Sequence, residues 1–161
     1  MLISLHLVKL EQLRSLSAGS TQVDGFRMAE GALPAAYLIK SAIANLRAGF
    51  EAIWHSFFLF IDDEGRNAIG SGNFHGPPSR GRVEIGYEVA PSYRGSGVAT
   101  QAAKLLVEQA FAHSTVKEVV AHTTLDNFAS RRVVEKAGFE LIGQRQVEGF
   151  GLTDEWLIRK T

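Results

Sequence analysis

The sequence predicts an α/β domain in which a mixed, mostly antiparallel sheet carries helices on both faces. Three observations predict it. Short alternating runs are typical of strands, runs with apolar residues every three or four positions are typical of helices, and one strand–helix–strand succession lies in the second half. The 161 residues suffice for one core, and no repeat or low-complexity linker divides them. We therefore expect a single domain over residues 1–161.

The N-terminal third carries the weaker patterns. Residues 3–8 predict a first strand, and residues 11–16 predict a short helix. Residues 33–46 predict a longer helix, because their apolar residues recur at helical spacing. Pro34 suits the first turn of this helix, and Gly49 suits its C-terminal cap.

Three further strands form an antiparallel meander in the centre of the chain. The run at 54–61 is rich in aromatic and branched residues, and runs at 68–74 and 82–90 follow it. Turn residues at 62–65 and a glycine–proline loop at 75–79 separate the three strands. The third strand has one apolar face, because its apolar residues alternate with polar or small ones.

A parallel crossover follows the meander. Pro91 ends the third strand, and a loop over residues 92–97 leads directly into an amphipathic helix over residues 98–112. Residues 117–123 are branched and apolar, which predicts the next strand. Strand, helix and strand in this order predict a right-handed connection between parallel strands.

The C-terminal segment predicts one more helix and a hairpin. Asp126 or Asn127 caps the helix, and Gly138 ends it in a left-handed conformation. Two closing strands, over residues 140–147 and 153–160, are joined by a glycine-containing turn.

The composition excludes several classes of function. Lys plus Arg and Asp plus Glu both number 17, so the basic excess typical of nucleic-acid-binding proteins is missing. The chain has no cysteine, which excludes disulfides, thiolate metal sites and a cysteine nucleophile. His6, His55, His75 and His113 are scattered without metal-ligand spacing, so we expect no metal.

The N-terminus has neither the basic region nor the cleavage site of a signal peptide. No apolar run reaches the ~18 residues that a membrane span needs. Together with the lack of cysteine, these features predict a cytoplasmic protein that has neither a nucleic acid nor a membrane as partner.

The chemistry of the sequence is concentrated before the amphipathic helix, in the run Arg94, Gly95, Ser96, Gly97, Val98, Ala99 and Thr100. Unpaired backbone N–H groups and the helix dipole favour an anion at a helix N-terminus. Gly95 and Gly97 let the backbone approach a ligand closely, and Arg94 adds a charge suited to phosphate. The run predicts a pyrophosphate cradle, and a tight strand-to-helix turn is the alternative.

Two other glycine-rich phosphate loops do not fit this run. A P-loop requires Gly-x-x-x-x-Gly-Lys-Ser/Thr, which the sequence lacks. A dinucleotide fingerprint requires a third glycine where Thr100 stands, and an early βαβ unit where three antiparallel strands are predicted.

The run from Arg94 to Thr100 resembles the coenzyme A pyrophosphate loop of the GNAT acetyltransferase superfamily. A second run, over residues 127–139, resembles the Asn-x-x-Ser…Glu-Lys-x-Gly-Phe stretch of the branch that contains the ribosomal-protein N-terminal acetyltransferases. The resemblance is good over residues 82–143 and weak over the first fifty. Ser92 stands where the family often has Gln or Arg, which affects one side-chain contact and not the backbone cradle.

The resemblance implies a GNAT fold with acetyl-coenzyme A as co-substrate and roles for individual residues. The Val89 backbone N–H would donate to the acetyl oxygen, Asn127 would hold the cofactor arm, and Ser130 would protonate the departing thiolate. Each residue has a structural alternative. Val89 suits a strand in any case, Asn127 suits a helix N-cap, and Ser130 suits a helix surface where its hydroxyl bonds a backbone carbonyl.

The attacking amine must lose a proton, and Glu84 is the candidate base. It stands on the strand that leads to the loop, and a carboxylate there can act through a water molecule. Glu148 and His122 are rivals. The structural alternatives are a cross-strand ion pair for Glu84, a turn position for Glu148 and a strand-end position for His122.

The predicted reaction is direct transfer of an acetyl or other short acyl group from its coenzyme A thioester to a primary amine. The acceptor stays open between a protein N-terminal α-amine, an aminoglycoside, a polyamine and an amino acid, and the branch resemblance favours an N-terminal or small amine. Dimers are common in the family, and the sequence leaves the oligomeric state open. A non-catalytic coenzyme A sensor and a nucleotide-phosphate enzyme with the same loop are alternative functions.

Overall fold

The computed structural model describes residues 1–64 and 66–161. Along these residues the chain forms nine β-strands, five α-helices and one 3₁₀ turn. In chain order the elements are β1 (Ile3–Leu7), α1 (Leu10–Ser17), β2 (Gln22–Val23), β3 (Phe26–Met28), α2 (Ala36–Arg47), α3 (Ala52–His55), β4 (Phe58–Asp62), β5 (Asn67–Phe74), β6 (Arg82–Val89), the 3₁₀ turn (Pro91–Tyr93), α4 (Val98–Phe111), β7 (Glu118–Thr124), α5 (Phe128–Lys136), β8 (Glu140–Val147) and β9 (Gly151–Arg159).

These nine strands belong to one sheet. Seven of them follow the order β1-β4-β5-β6-β7-β9-β8, and the short β2–β3 hairpin joins through the pairing of β3 with β5. The β6–β7 and β3–β5 pairs are parallel, and the other pairs are antiparallel. The predicted mixed, mostly antiparallel sheet is therefore confirmed, and so is the parallel pairing of the two strands that α4 connects.

Successive side chains of β4 point to opposite faces of the sheet and so belong to two separate core clusters. Phe58 and Phe60 belong to the larger cluster, which α4 and α5 cover. Leu59 and Ile61 belong to a second cluster, which α1 and α2 cover. Because both faces of β4 are buried, this strand reads as a continuous apolar run and not as an alternating one. The prediction of helices on both faces is confirmed.

The structure corrects the prediction of a strand over residues 54–61. The strand begins only at Phe58, because the residues before it form α3. Trp54 lies in that short helix and packs its ring against Phe74 and His113, with ring centroids 5.2 and 4.9 Å apart. Burial of the indole in the core therefore overrides the local preference of aromatic residues for strands.

Two further corrections concern the N-terminal third. Pro34 does not lie in the first turn of the helix predicted over residues 33–46, because α2 begins at Ala36. The β2–β3 hairpin was not predicted, because strands of two and three residues are too short to show a periodicity. Residue 65, part of the predicted turn at 62–65, lies outside the described residues.

The predicted caps at Asn127, Gly138 and Gly49 are confirmed. Asn127 is the N-cap of α5, and its Oδ1 accepts a hydrogen bond of 3.1 Å from the Ser130 backbone N–H. Gly138 follows α5 with a φ of +97°, and Gly49 follows the end of α2 with a φ of +92°. A left-handed residue at these positions lets the chain turn away from the helix axis without a Cβ clash.

Among the described residues no helix is long and apolar enough to cross a membrane.

Candidate active site

Strands β6 and β7 pair over only three residues and then separate. Residues Arg82 to Glu84 pair with residues Glu118 to Val120. Strand β6 continues to Val89, and beyond Glu84 its edge toward β7 pairs with no described residue of β7. The Ala90 backbone N–H donates to the Ile69 carbonyl on β5, at 2.8 Å. Since successive N–H groups of a strand point to opposite edges, the Val89 N–H points into the opening beside β7. The opening thus presents a backbone donor to any ligand that lies in it.

The loop after β6 is shaped by two left-handed glycines. Gly95 has a φ of +77°, and Gly97, the N-cap of α4, has a φ of +82°. A Cβ built on either glycine would meet no atom within 4 Å, so space is open on this side of the loop. No side chain caps the first turn of α4, which leaves its N–H groups free to bind an anion.

The other predicted cradle residues have local structural roles. Val98 is 1% exposed and anchors the helix start in the core, so only its backbone can face a ligand. The Arg94 Nε donates to the Val89 carbonyl at 3.2 Å, and the Ser96 hydroxyl donates to the Tyr93 carbonyl at 2.7 Å. These bonds tie the loop to the end of β6. Ala99 and Thr100 lie half-buried in the first turn of α4.

The start of α5 faces β6 across this opening. The Tyr87 hydroxyl is hydrogen-bonded to the Ser130 side chain, and the Asn127 side-chain oxygen is engaged as helix cap. Burial raises the pKa of Tyr87 to about 12, although the bond to Ser130 acts in the opposite direction. Two hydroxyl groups that remain protonated at neutral pH therefore lie together at one site.

A chain of five ionisable side chains crosses the sheet face opposite α4. Nδ1 of His75 lies 2.8 Å from Oε2 of Glu84, and Oε1 of Glu84 lies 3.2 Å from Nδ1 of His122. Nε2 of His122 lies 2.8 Å from Oε2 of Glu155, which Arg145 approaches to 3.5 Å. The His122–Glu84 contact is an ion pair that is not aligned as a hydrogen bond. The cross-strand ion pair that was the alternative reading of Glu84 is therefore present.

These contacts shift the pKa values of the cluster. Burial acts to raise the pKa of Glu84, but the close contacts and charges of His122 and His75 outweigh it and lower the pKa from 4.5 to about 2. The Glu84 carboxylate is the largest cause that raises the pKa of His122, burial opposes it, and Glu155 adds to it. Burial likewise acts to raise the pKa of Glu155, and the bond from His122 lowers it. The cluster thus stabilises an ionised Glu84 and a protonated His122.

The candidate bases are now distinguishable by position. Glu84 is held between two histidines, and of these His75 is the more exposed, with 47% of its side chain accessible. His122 is enclosed, with 10% of its side chain accessible. Glu148 lies exposed in the turn between β8 and β9.

Among the described residues no group of three His, Asp or Glu side chains is placed to hold a metal ion.

Two adjoining cavities form a cleft between α2 and the sheet. The inner cavity has a volume of about 240 Å³, and Gly86, Tyr87 and Glu88 of β6 contribute to its lining. The outer cavity has a volume of about 540 Å³ and extends past His75 to Phe150 in the β8–β9 turn. The lining of the inner cavity includes Glu88, the residue before Val89, so the cleft lies next to the end of β6 that borders the opening.

Three residues that contribute to the candidate site in the structure were not predicted from the sequence. His75 was assigned to a surface loop, Tyr87 to the apolar face of a strand, and Glu88 to no role. For Glu88 a signal was available, because alternation along β6 puts it on the same face as Glu84. The contact of Tyr87 with Ser130 depends on how α5 packs, and the contact of His75 with Glu84 depends on the path of the loop after β5. Neither contact follows from a local sequence pattern.

A model of the family described as acetyltransferase (GNAT) domain matches residues 30–140 of this chain. A Bacillus subtilis (strain 168) protein named uncharacterized N-acetyltransferase YjdG is 31% identical over 85 residues, which are 52% of this chain and 51% of that protein. The chain thus spans about half the length of the curated relatives that it matches.

Solved structures show the same fold. The aminoglycoside acetyltransferase AAC(6')-Ib in complex with coenzyme A superposes with a TM-score of 0.70 at 18% identity, covering 99% of this chain and 95% of that one. RimL, a ribosomal L7/L12 alpha-N-protein acetyltransferase, superposes with a TM-score of 0.70 at 16% identity, covering 98% of this chain and 90% of that one. At these identities the likeness shows the architecture and leaves the acceptor open.

Proposed function

This chain belongs to the GNAT acetyltransferase family, and from that membership we propose that it transfers an acetyl group from acetyl-coenzyme A to a primary amine. The observation that carries the proposal is the opening between β6 and β7, with the uncapped start of α4 at its end. We further propose that residues 1–161 act as one catalytic domain.

The residues at the opening fit a coenzyme A thioester. The left-handed Gly95 and Gly97 leave space beside the free N–H groups of α4, which suits a pyrophosphate. The unpaired β7 edge of β6 offers backbone groups to the amides of a pantetheine arm. Arg94 supplies a positive charge at the same loop, and Asn127 lies at the opposite wall of the opening.

The thioester supplies an activated acyl carbon, and the chain supplies hydrogen bonds and proton transfers. The Val89 N–H is the proposed donor to the acyl oxygen, on which negative charge develops as the amine attacks. Removal of such a donor in other enzymes costs ~3 kcal/mol of barrier. As the C–N bond forms, the C–S bond breaks, and the amine gives one proton to a base.

We propose Glu84 as part of that base, acting through His75. Glu84 itself does not line the cleft, because both of its carboxylate oxygens contact histidines. A neutral imidazole that donates from Nδ1 to a carboxylate presents a lone pair at Nε2. His75 lines the outer cavity and can take the proton there, with Glu84 positioning the ring.

The proton for the leaving thiolate is assigned to Ser130 together with Tyr87. Their hydroxyl groups are hydrogen-bonded at the opening, and the high pKa of Tyr87 keeps its proton in place until a stronger base appears beside it. Ser130 also matches the run that resembles the ribosomal-protein N-terminal acetyltransferases, which supports a place for this chain near that branch.

Differences in melting temperature test the proposal. Acetyl-coenzyme A, coenzyme A, ATP and NAD are each added at saturating concentration, and a specific ligand at about 100 times its dissociation constant stabilises the fold by about 2.7 kcal/mol. For a chain of this length we expect a rise of roughly 5–10 °C with the two coenzyme A forms. No rise with either form, or a larger rise with ATP or NAD, would refute the cradle.

A further inference from the structure

Gly86, Tyr87 and Glu88 of β6 contribute to the lining of the inner cavity. Gly86 lies two residues from Glu84 and two from Glu88, so all three face the same side of the sheet. A Cβ at Gly86 would lie 2.6 Å from Nε2 of His75 and 3.3 Å from Oδ1 of Asn73. The absence of a side chain at Gly86 therefore lets an imidazole nitrogen and an amide oxygen converge over the strand.

These groups suit an amine. Oδ1 of Asn73 and the carboxylate of Glu88 accept hydrogen bonds, and so does Nε2 of His75 when its Nδ1 donates to Glu84. A primary amine that enters here can donate to these acceptors, because Oδ1 of Asn73 and Nε2 of His75 both lie close to Gly86 and Glu88 lines the same cavity. We name the part of the inner cavity that Asn73 and Glu88 line, next to the His75 ring over Gly86, the amine seat.

The charge of the cleft sets how many ammonium groups it can hold. Among the described residues that line the two cavities, Glu88 is the only carboxylate, and none is Lys or Arg. A ligand with three or more ammonium groups would therefore place most of its charges in the cleft without a partner. Burial of unpaired charge is costly, so a polycation is a poor fit.

Apolar and aromatic side chains line much of the outer cavity, beside the polar Ser41, Asn45 and His55. Leu38, Trp54 and Phe74 line it, and the exposed rings of Tyr37 and Phe150 stand at its rim. Its volume of about 540 Å³ lies within the range of small-molecule sites. Aromatic walls, with one carboxylate among the described residues that line the cleft, favour a ligand that has an apolar body and a single cationic end.

We propose that the acceptor is a primary monoamine with an apolar, aromatic-sized body, whose amine occupies the amine seat and whose body lies in the outer cavity. This inference rests on the proposed acetyl transfer and names its acceptor class. Two sources carry this chemistry, a small arylalkylamine and a peptide N-terminus with an apolar first residue.

A panel of four amines tests the proposal with the full chain and saturating acetyl-coenzyme A, by release of the coenzyme A thiol. The panel consists of phenethylamine, the dipeptide amide Phe-Ala-NH₂, spermidine and kanamycin. We expect kcat/KM for at least one of the first two to exceed both polycations at least tenfold, and the better of the two identifies the source. A polycation that reacts faster than both monoamines would overturn the proposal.

The melting shift separates this inference from the proposed function. If acetyl-coenzyme A raises the melting temperature and none of the four amines reacts, the amine seat is refuted and the cofactor cradle stands. If acetyl-coenzyme A gives no shift, the proposed function fails and the acceptor class falls with it.

Two substitutions probe the seat and the charge count. Glu88→Gln should raise KM for phenethylamine at least tenfold and leave the melting shift with acetyl-coenzyme A unchanged, while Glu108→Gln on the exposed face of α4 changes neither. Asn45→Asp adds a second carboxylate to the outer cavity and should increase the kcat/KM ratio of spermidine to phenethylamine at least threefold. An unchanged KM in Glu88→Gln, or an unchanged ratio in Asn45→Asp, would count against the proposal.

Discussion

Strand β6 is flanked by two sites that are built from different parts of the chain. The cradle beyond its C-terminal end is made of backbone, namely two left-handed glycines, Gly95 and Gly97, and the first turn of α4. The cleft over its face is made of side chains such as Asn73, His75 and Glu88, which come from separate positions. A backbone site tolerates most substitutions except those that fill it, whereas a side-chain site changes with each residue. One fold can therefore keep its donor site while its acceptor site diverges.

The strongest test of this contrast places a side chain in the backbone site. Gly97→Val introduces a branched side chain into the open space of the loop, and we expect it to weaken acetyl-coenzyme A binding by roughly 10²–10⁴-fold, because two charge-assisted hydrogen bonds contribute ~1.5–3 kcal/mol each. Isothermal titration calorimetry measures the change.

Gly19→Val is the matched control for this substitution. Gly19 has a φ of +94° and also faces open space, but it follows α1 far from the loop. Both variants should lose ~1–3 kcal/mol of stability through backbone strain, and only Gly97→Val should lose affinity. Equal affinities in the two variants would show that no phosphate group is held beside Gly97.

The second test removes one side chain from the cleft. His75→Gln should lower kcat with phenethylamine by about 10²-fold and leave acetyl-coenzyme A binding unchanged, since a positioned base contributes 10²–10⁴. His55→Gln is the control, because His55 also lines the outer cavity but its Nδ1 contacts the Glu51 carbonyl. We expect less than a threefold change in kcat for His55→Gln.

A double variant shows whether Glu84 acts through His75. If it does, His75→Gln combined with Glu84→Gln should be no slower than His75→Gln alone, because groups that act as a unit are not additive. If instead the loss of kcat in the double variant equals the product of the losses in the two single variants, Glu84 takes the proton by an independent route. That route would be the water molecule that the sequence predicted.

The same contrast explains what could be predicted from the sequence. The cradle is a contiguous run, Arg94 to Thr100, and its position between a strand and a helix follows from local periodicity. The strands and helices around it are long enough to show their periods. The short α3 and the β2–β3 hairpin are not, and their conformations are set by packing against the rest of the sheet.

The cleft could be predicted only in part. Alternation along β6 places Glu84 on the polar face, but its partners depend on the register of three strands. His122 meets Glu155 because the two are directly paired across β7 and β9, although they are 33 residues apart in the chain. Register is fixed by the whole sheet, so no local pattern in the sequence contains this contact.

The third test measures the cluster through stability and pH. The pKa of Glu84 is lowered from 4.5 to about 2, so its contribution is fully present above pH 4.5 and is lost as the pH falls toward 2. The full shift corresponds to ~3 kcal/mol, and because the side chain is 32% exposed, solvent screening should reduce the effect to ~1–2 kcal/mol. Urea unfolding at pH 6 and pH 3 should show this loss, and Glu84→Gln should show less of it than Glu108→Gln.

His122 acts with the opposite sign. Its pKa is raised above 6.5, so its contribution is present below pH 6.5 and is lost as the pH rises through its folded pKa. The cluster should therefore stabilise the fold most between pH 4.5 and 6.5. The free energy of unfolding of the parent and of His122→Gln is compared between pH 6 and pH 9. If both decline equally, another group in the molecule causes the decline.

The smallest expected effect lies back at the cofactor opening, where side chains assist a site made of backbone. Tyr87→Phe and Ser130→Ala should each lower kcat about 3- to 10-fold at pH 7, because each removes one of the two hydroxyl groups that we propose as proton donors to the leaving sulfur. The leaving thiolate depends less on a proton donor as the pH rises toward the pKa of its thiol, so both losses should shrink at pH 9. Losses that stay constant from pH 7 to pH 9 would assign the two hydroxyls to packing of α5 against β6, and the opening would then work by its backbone alone.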